Sequence, residues 1–335
     1  MIQYLGNING PVLAFGGIYS NLQALEALKA EADALGIPPT NNVCTGDLAG
    51  YCAQPIEVFQ LVNKWGIRAI AGNVEVQLRD EAADCGCDFR DGSRCDVFSR
   101  QWYPYTNSLM TDDIRDWLHA LPTNIVFTFQ RHQFVVVHGA YRGISDYVFR
   151  STPWAKKAET MDATGTNGVI AGHCGLPFHH VQDGRYWLNP GVIGMPANDG
   201  NTSVWYMVLW PEGQDGFRIE HRQLSYDFAT ASQRMLDQQL PSEYAQTLRT
   251  GIWDNCEILP PEETALQGQP IEFDVVSFHK RGEILKSHFV TSSVLVCFTV
   301  CCVGFVPVAG GKTTSTARLR GSKLEPANRY WWPMK

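Results

Sequence analysis

The chain has 335 residues, 44% apolar and 18% charged, with 30 glycines and 18 prolines, which excludes disordered, collagen-like and coiled-coil classes. A formal net charge of −7 weighs against a general nucleic-acid binder and points to small partners. The opening MIQYLGNING has neither the basic nor the apolar stretch of a secretory leader, so most of the ten cysteines are expected to be reduced thiols of a cytoplasmic protein.

In chain order, residues 11–15 (PVLAF) predict a short strand running into Gly16-Gly17. A helix over 21–35 follows, with Leu22, Leu25, Leu28 and Leu35 at helical spacing behind an Asn21 N-cap. The pattern repeats with a strand over 42–45 ending in Gly46-Asp47, a helix over 55–65, and a strand over 68–71 ending in Gly72-Asn73. This alternation predicts βαβ units and a largely parallel sheet. From 80 to 107 the periodicity disappears, and the stretch reads as an insertion over the surface. A helix over 111–121, with Asp112 and Asp113 in its first turn, precedes a hairpin of 124–129 and 133–138 around Arg131. Strands over 168–173, 185–188, 203–209 and 217–224 complete an α/β fold of two sheets with helices outside, several of them alternating like an antiparallel second sheet.

Residues 1–254 thus form the expected domain, with 255–288 a loop-rich extension. The uncharged stretch 289–311 is long enough to span a bilayer, and basic residues follow it. A membrane anchor is one reading of it; a buried or disordered tail, or an out-of-frame C-terminus, are the others. AGGKTTS resembles the end of a phosphate-binding loop, but Val306 stands at its first glycine and no helix pattern follows.

Chemistry in open α/β sheets gathers at the carboxyl ends of strands. Four such ends carry a polar residue beside a glycine: Asp47, Asn73, His138 and His173. Singly, each reads as an ordinary turn carboxylate, turn amide or core histidine; repetition at four strand ends reads as a site. One carboxylate, one amide oxygen and two imidazoles suit a divalent transition metal that keeps a water.

Over residues 11–210 the sequence resembles the calcineurin-like metallophosphoesterases, in particular their small bacterial phosphodiesterase-like branch. The matching blocks are GGIYSNLQAL, TGDLAGY, AGNVE, VVHGAYRG and GHCGLPF, with NPGVIGMP trailing. The resemblance implies a four-layer αββα sandwich of two mixed β-sheets, and hydrolysis of a small phosphate ester or nucleotide by a metal-activated water. Its metal ligands here are Asp47, Asn73, His138 and His173, holding Mn, Fe or Zn. Catalytic roles fall on Asp47, His138 and Glu75, and substrate contacts on Tyr19, Asn21 and Arg142.

The departures fall on the first of the family's two metals, whose ligand positions are Gly17, Tyr19 and Gly175, and on its catalytic histidine, replaced by Val74. A reduced or rearranged site follows, with Tyr19, His179 or His180, or Cys174 as conceivable replacement ligands. The alternative is an inactive member that binds a ligand or partner through the same cleft. In the insertion, Cys85, Cys87 and Cys95 lack zinc-finger spacing; a structural metal site, a disulfide or packed thiols all stay open.

Overall fold

The computed structural model describes residues 1–278 apart from residue 88, and residues 284–286. Its strands are β1 (Ile2–Asn7), β2 (Val12–Phe15), β3 (Asn42–Cys44), β4 (Arg68–Ala69), β5 (Asn124–Phe129), β6 (His132–Val137), β7 (Gly168–Ala171), β8 (Pro177–Gln182), β9 (Arg185–Pro190), β10 (Val204–Glu212), β11 (Gly216–Leu224), β12 (Val276–Phe278) and β13 (Ile284–Lys286). The α-helices are α1 (Leu22–Ala34), α2 (Pro55–Trp65), α3 (Asn73–Arg79), α4 (Arg94–Ser108), α5 (Asp112–Ala120), α6 (Trp154–Thr164), α7 (Phe228–Asp237), α8 (Ser242–Thr250) and α9 (Pro261–Thr264).

One sheet runs β1-β5-β6-β7-β9-β8 and the other β13-β12-β11-β10-β2-β3-β4. Both are mixed. β2, β3 and β4 are parallel, whereas β10 meets β2 antiparallel; in the other sheet β7 lies parallel to both β6 and β9. The expected division into a parallel and an antiparallel sheet is thereby corrected.

Strand β2 shows why the runs are uninterrupted by charge: Val12 and Ala14 enter the core between the sheets, while Leu13 and Phe15 face the helices. Phe127, Phe134, Leu188, Met207 and Phe217 fill the same inter-sheet core. Helices α1, α2, α7 and α8 cover the β2 sheet, and the outer face of the other sheet packs Val135, Val169 and Trp187 against Met161 of α6. The result is the four-layer αββα sandwich.

The insertion is more regular than its sequence suggests. Ser93 caps α4 by accepting from Asp96 N at 3.2 Å, and Cys95, Phe98, Trp102 and Tyr103 are buried along one face. Pro104 inside the helix and the polar residues between these anchors hide that spacing. In the extension, β12 pairs with β11 and places Val276 and Phe278 in the inter-sheet core. No helix among the described residues is long and apolar enough to cross a membrane; the 289–311 stretch lies outside them.

Candidate metal centre

The site forms where β3, β4, β6 and β7 end, because each strand delivers one polar residue to the same rim. Asp47 and His173 sit at φ of 55° and 61°, a left-handed backbone that non-glycine residues seldom adopt and that functional sites hold by surrounding structure. A side-chain carbon on Gly72 would overlap the Asp47 carboxylate, and one on Gly46 would crowd the Gly72 backbone. The two glycines let the loops touch.

An Asp47 carboxylate oxygen and one ring nitrogen each from His138 and His173 lie within 4.8 Å of one another. His138 Nδ1 is 2.7 Å from the Thr45 carbonyl, which can only accept, so Nδ1 carries the proton and Nε2 faces inward. Around Nε2 lie Asn73 Oδ1 at 2.9 Å, His173 Nδ1 at 3.0 Å and Asp47 Oδ2 at 3.3 Å. The Asn73 amide is fixed from behind: its Nδ2 donates to Cys85 O at 2.8 Å and to Cys87 Sγ at 3.1 Å. With His138 neutral, electron-rich atoms converge on one point, an arrangement that a cation relieves. The donor set, one carboxylate, one amide oxygen and two imidazoles, with Asn73 and His138 held by outer partners, therefore fits a divalent transition metal.

Burial opposes the charge on Asp47, but the neighbouring His138 and His173 outweigh it and hold the carboxyl below its ordinary value. Burial likewise opposes a charge on His138, and Asp47 beside it prevails, raising that imidazole. For His173, burial and then the His138 charge act together and push it down to about 3.

Glu75 stands behind this cluster. Its Oε1 accepts from Leu48 N at 2.8 Å and Ala49 N at 3.2 Å, and its Oε2 from Asp47 N at 2.8 Å and Gly72 N at 2.9 Å. Both oxygens are saturated by backbone donors, so the catalytic role expected of Glu75 gives way to a positioning one. Burial, then the Asp47 charge, pushes its carboxyl up to about 7 against the pull of the amides.

A cavity of about 70 Å³ adjoins the cluster, with Tyr19, Tyr51, Tyr147, Tyr244 and Trp253 among its walls and no lysine or arginine among the described residues that line it. A side chain at Gly17 would overlap the Tyr19 ring, which itself lies against Gly50 and Gly194. Gly175 has φ of 78°, and Trp253 carbons lie 3.3 Å from where its Cβ would be. Aromatic rings thus abut Gly17 and Gly175, two of the three positions where the resemblance expects metal-binding side chains. Burial raises the Tyr19 and Tyr147 hydroxyls well above their usual range, so both stay protonated near neutral pH.

The other expected site residues are dispersed. Asn21 is spent in the fold: Oδ1 caps α1 at Ala24 N and Nδ2 donates to Gly194 O at 3.2 Å. Arg142 lines a different cavity, separated from the first by Tyr147. Neither is placed to contact a substrate at the cluster. His180 accepts from Lys157 Nζ at 3.0 Å, and His179 packs with His221 and Phe273, so neither replaces a lost ligand. Cys174 borders the cavity, yet its sulfur faces Asn189 Nδ2 at 3.2 Å. Cys95 contacts Asn255, away from Cys85 and Cys87, and all described cysteines are free. The hold of Cys85 and Cys87 on Asn73, and the wall formed by Tyr147, Tyr244 and Trp253, escaped sequence reasoning because these residues meet only in three dimensions.

Two mixed sheets with an Asp-His-His cluster at their strand ends define a candidate metallohydrolase. A family model, the calcineurin-like phosphoesterase superfamily domain, matches residues 22–209, more than half of the chain. The chain belongs to that superfamily. An uncharacterized protein of Methanocaldococcus jannaschii is 22% identical over 264 residues, 73% of this chain and 99% of its own length. The crystal structure of a metallophosphoesterase from Sphaerobacter thermophilus has a TM-score of 0.57 at 22% identity, covering 73% of this chain and 100% of that one. A hypothetical protein from Pyrococcus horikoshii gives 0.60 at 17% identity, covering 76% and 100%. These likenesses establish the fold.

Proposed function

We propose that the chain is a metal-dependent phosphoester hydrolase that holds one divalent ion through Asp47, Asn73, His138 and His173 and acts on a small phosphate ester or nucleotide. The observation that carries this reading is the convergence of Asn73 Oδ1, His173 Nδ1 and the Asp47 carboxylate on His138 Nε2. A divalent ion in such a set lowers the pKa of a bound water and polarises a phosphoryl oxygen. Thr45 O fixes the His138 tautomer and Glu75 holds the Asp47 loop, so the ligands are oriented before any ion arrives. Tyr19 and Tyr147, kept protonated by burial, are suited to donate to phosphoryl oxygens. The Tyr19 ring beside Gly17 and Trp253 over Gly175 support a single ion rather than two. With Val74 at the position of the family's catalytic histidine, a general-acid contribution of about 10²–10⁴ is forgone and turnover is slow.

The test is metal analysis of the purified chain beside phosphodiester and phosphomonoester panels with Mn²⁺, Fe²⁺ and Zn²⁺. One ion per chain and metal-dependent turnover that disappears in His138→Ala are expected. No bound ion, with turnover unchanged by His138→Ala, overturns the proposal. A second reading, a non-catalytic member that binds its ligand through this cleft, is favoured by the lack of any lysine or arginine among the described residues lining the cavity. Metal binding without turnover on either panel would select it.

A further inference from the structure

The Asn73 amide is held by an unusual pair of acceptors, the carbonyl of one cysteine and the thiol of another. We propose that Cys85 and Cys87 form a redox-sensitive positioning element for Asn73, whose oxidation to a disulfide turns the amide away from the metal centre. The proposal rests on the reading of Asn73 as a ligand.

The turn Cys85-Gly86-Cys87 bends at Gly86, φ 68°, and brings the two thiols into hydrogen-bond contact. Ser145 Oγ, from the loop after β6, donates to Gly86 O at 2.7 Å, and Gly86 N donates to Asp84 Oδ1 at 2.8 Å, so the turn is anchored on both sides. Both thiols are free. Cys87 borders the metal-site cavity and also a second cavity of about 380 Å³, shared with Asp84, Asp91 and Arg100. The pair therefore stands in the partition between the cluster and a space reached from outside, open to an oxidant as small as hydrogen peroxide.

The chemistry balances with peroxide as the oxidant. Two thiols give up two protons and two electrons, the sulfur–sulfur bond forms, the peroxide oxygen–oxygen bond breaks, and two waters leave. Drawing the Cys87 sulfur onto Cys85 removes the thiol acceptor of Asn73 Nδ2 and shifts the Cys85 carbonyl in the same turn. Because the amide is planar, Nδ2 cannot move without carrying Oδ1 away from His138 Nε2. Loss of an outer partner of this kind typically costs about 10–100-fold in metal affinity.

Mn²⁺ is the probe, since this hard ion does not seek thiolates. The full chain, reduced or treated with hydrogen peroxide, is titrated with Mn²⁺ by calorimetry, and peptide mapping locates the oxidised cysteines. The expected result is a Cys85–Cys87 disulfide, a 10–100-fold weaker Mn²⁺ affinity and recovery with dithiothreitol. Cys85→Ser should abolish the response and Cys95→Ser should keep it. An 85–87 disulfide with unchanged affinity overturns the proposal, as does a loss of affinity without that disulfide. If neither form binds Mn²⁺, the metal-centre reading fails instead. The Asn73 side-chain amide resonances then decide: movement on oxidation sustains the positioning, and identical spectra refute it.

Discussion

Replacing Glu75 by glutamine changes one heavy atom and should cost the fold more than most core truncations. The wild-type carboxylate accepts four backbone N–H groups from Asp47, Leu48, Ala49 and Gly72, two on each oxygen. In either orientation the glutamine NH₂ faces two of those donors, so two hydrogen bonds to a charged acceptor are lost and two buried amides are left without partners. At about 1.5–3 kcal/mol for each such bond, the loss is about 3–6 kcal/mol, a large part of the 5–15 kcal/mol that a domain typically commands. Urea unfolding of the metal-free chain at pH 8, where the wild-type side chain is ionised, measures it directly. Mn²⁺ titration of the folded fraction should show weaker binding as well, because Glu75 holds the loop that carries Asp47. A Glu75→Gln midpoint within about 1 kcal/mol of wild type would refute the reasoning, since the four amides would then have found other partners.

Gly17→Asp should destabilise the protein by about 1–3 kcal/mol through overpacking against the Tyr19 ring. Combined with Tyr19→His the loss should shrink, and denaturant midpoints of the single and double variants compare the two. Acid should weaken the fold through His221, which burial, then His179, pushes down to about 3 from an unperturbed 6.5. The unfolded chain takes up the proton first, so this contribution is complete above about pH 6.5 and is lost towards pH 3, worth about 2–4 kcal/mol for a partly screened ring. His221→Gln, which can still donate to Asn189 O, should flatten the midpoint between pH 6.5 and 4; an unchanged slope would sink the assignment.

Much of the metal cluster was legible because strand ends write themselves into sequence. A buried β-branched run followed by glycine and one polar residue marks where a chain stops in the sheet and opens towards ligand, as at Val43–Asp47 and Val169–His173. The blocks shared with the family supplied the order of the four residues. What the sequence did not disclose is who holds whom. Asn21 is expected both to cap α1 and, through the resemblance, to contact substrate; Ala24 N and the Gly194 carbonyl claim its amide, so only the cap is realised. Arg142 follows a ligand strand by only a few residues, but its loop turns outward behind Tyr147. Helix α4 hid because one proline and a polar surface masked anchors at Cys95, Phe98 and Trp102, whose packing depends on partners far along the chain.

The two halves of the rim have therefore diverged for different physical reasons. On the side of Asp47, Asn73 and His138, the Asp47 backbone, the Asn73 amide and the His138 ring each have a buried outer partner, and loss of one would leave buried donors or acceptors unpaired. On the side of Gly17 and Gly175, apolar rings occupy the space, and their packing is itself a stabilising core contribution. Polar satisfaction keeps the first half in place and aromatic packing keeps the second half closed. A carboxylate ligand at position 17 would thus require Gly17 and Tyr19 to change together, because a carboxylate at 17 and a tyrosine ring at 19 claim the same volume. Coupling of that kind would make the proposed single-ion arrangement hard to reverse by one substitution, with the thiol turn at Cys85–Cys87 beside Asn73 as its proposed redox-adjustable part.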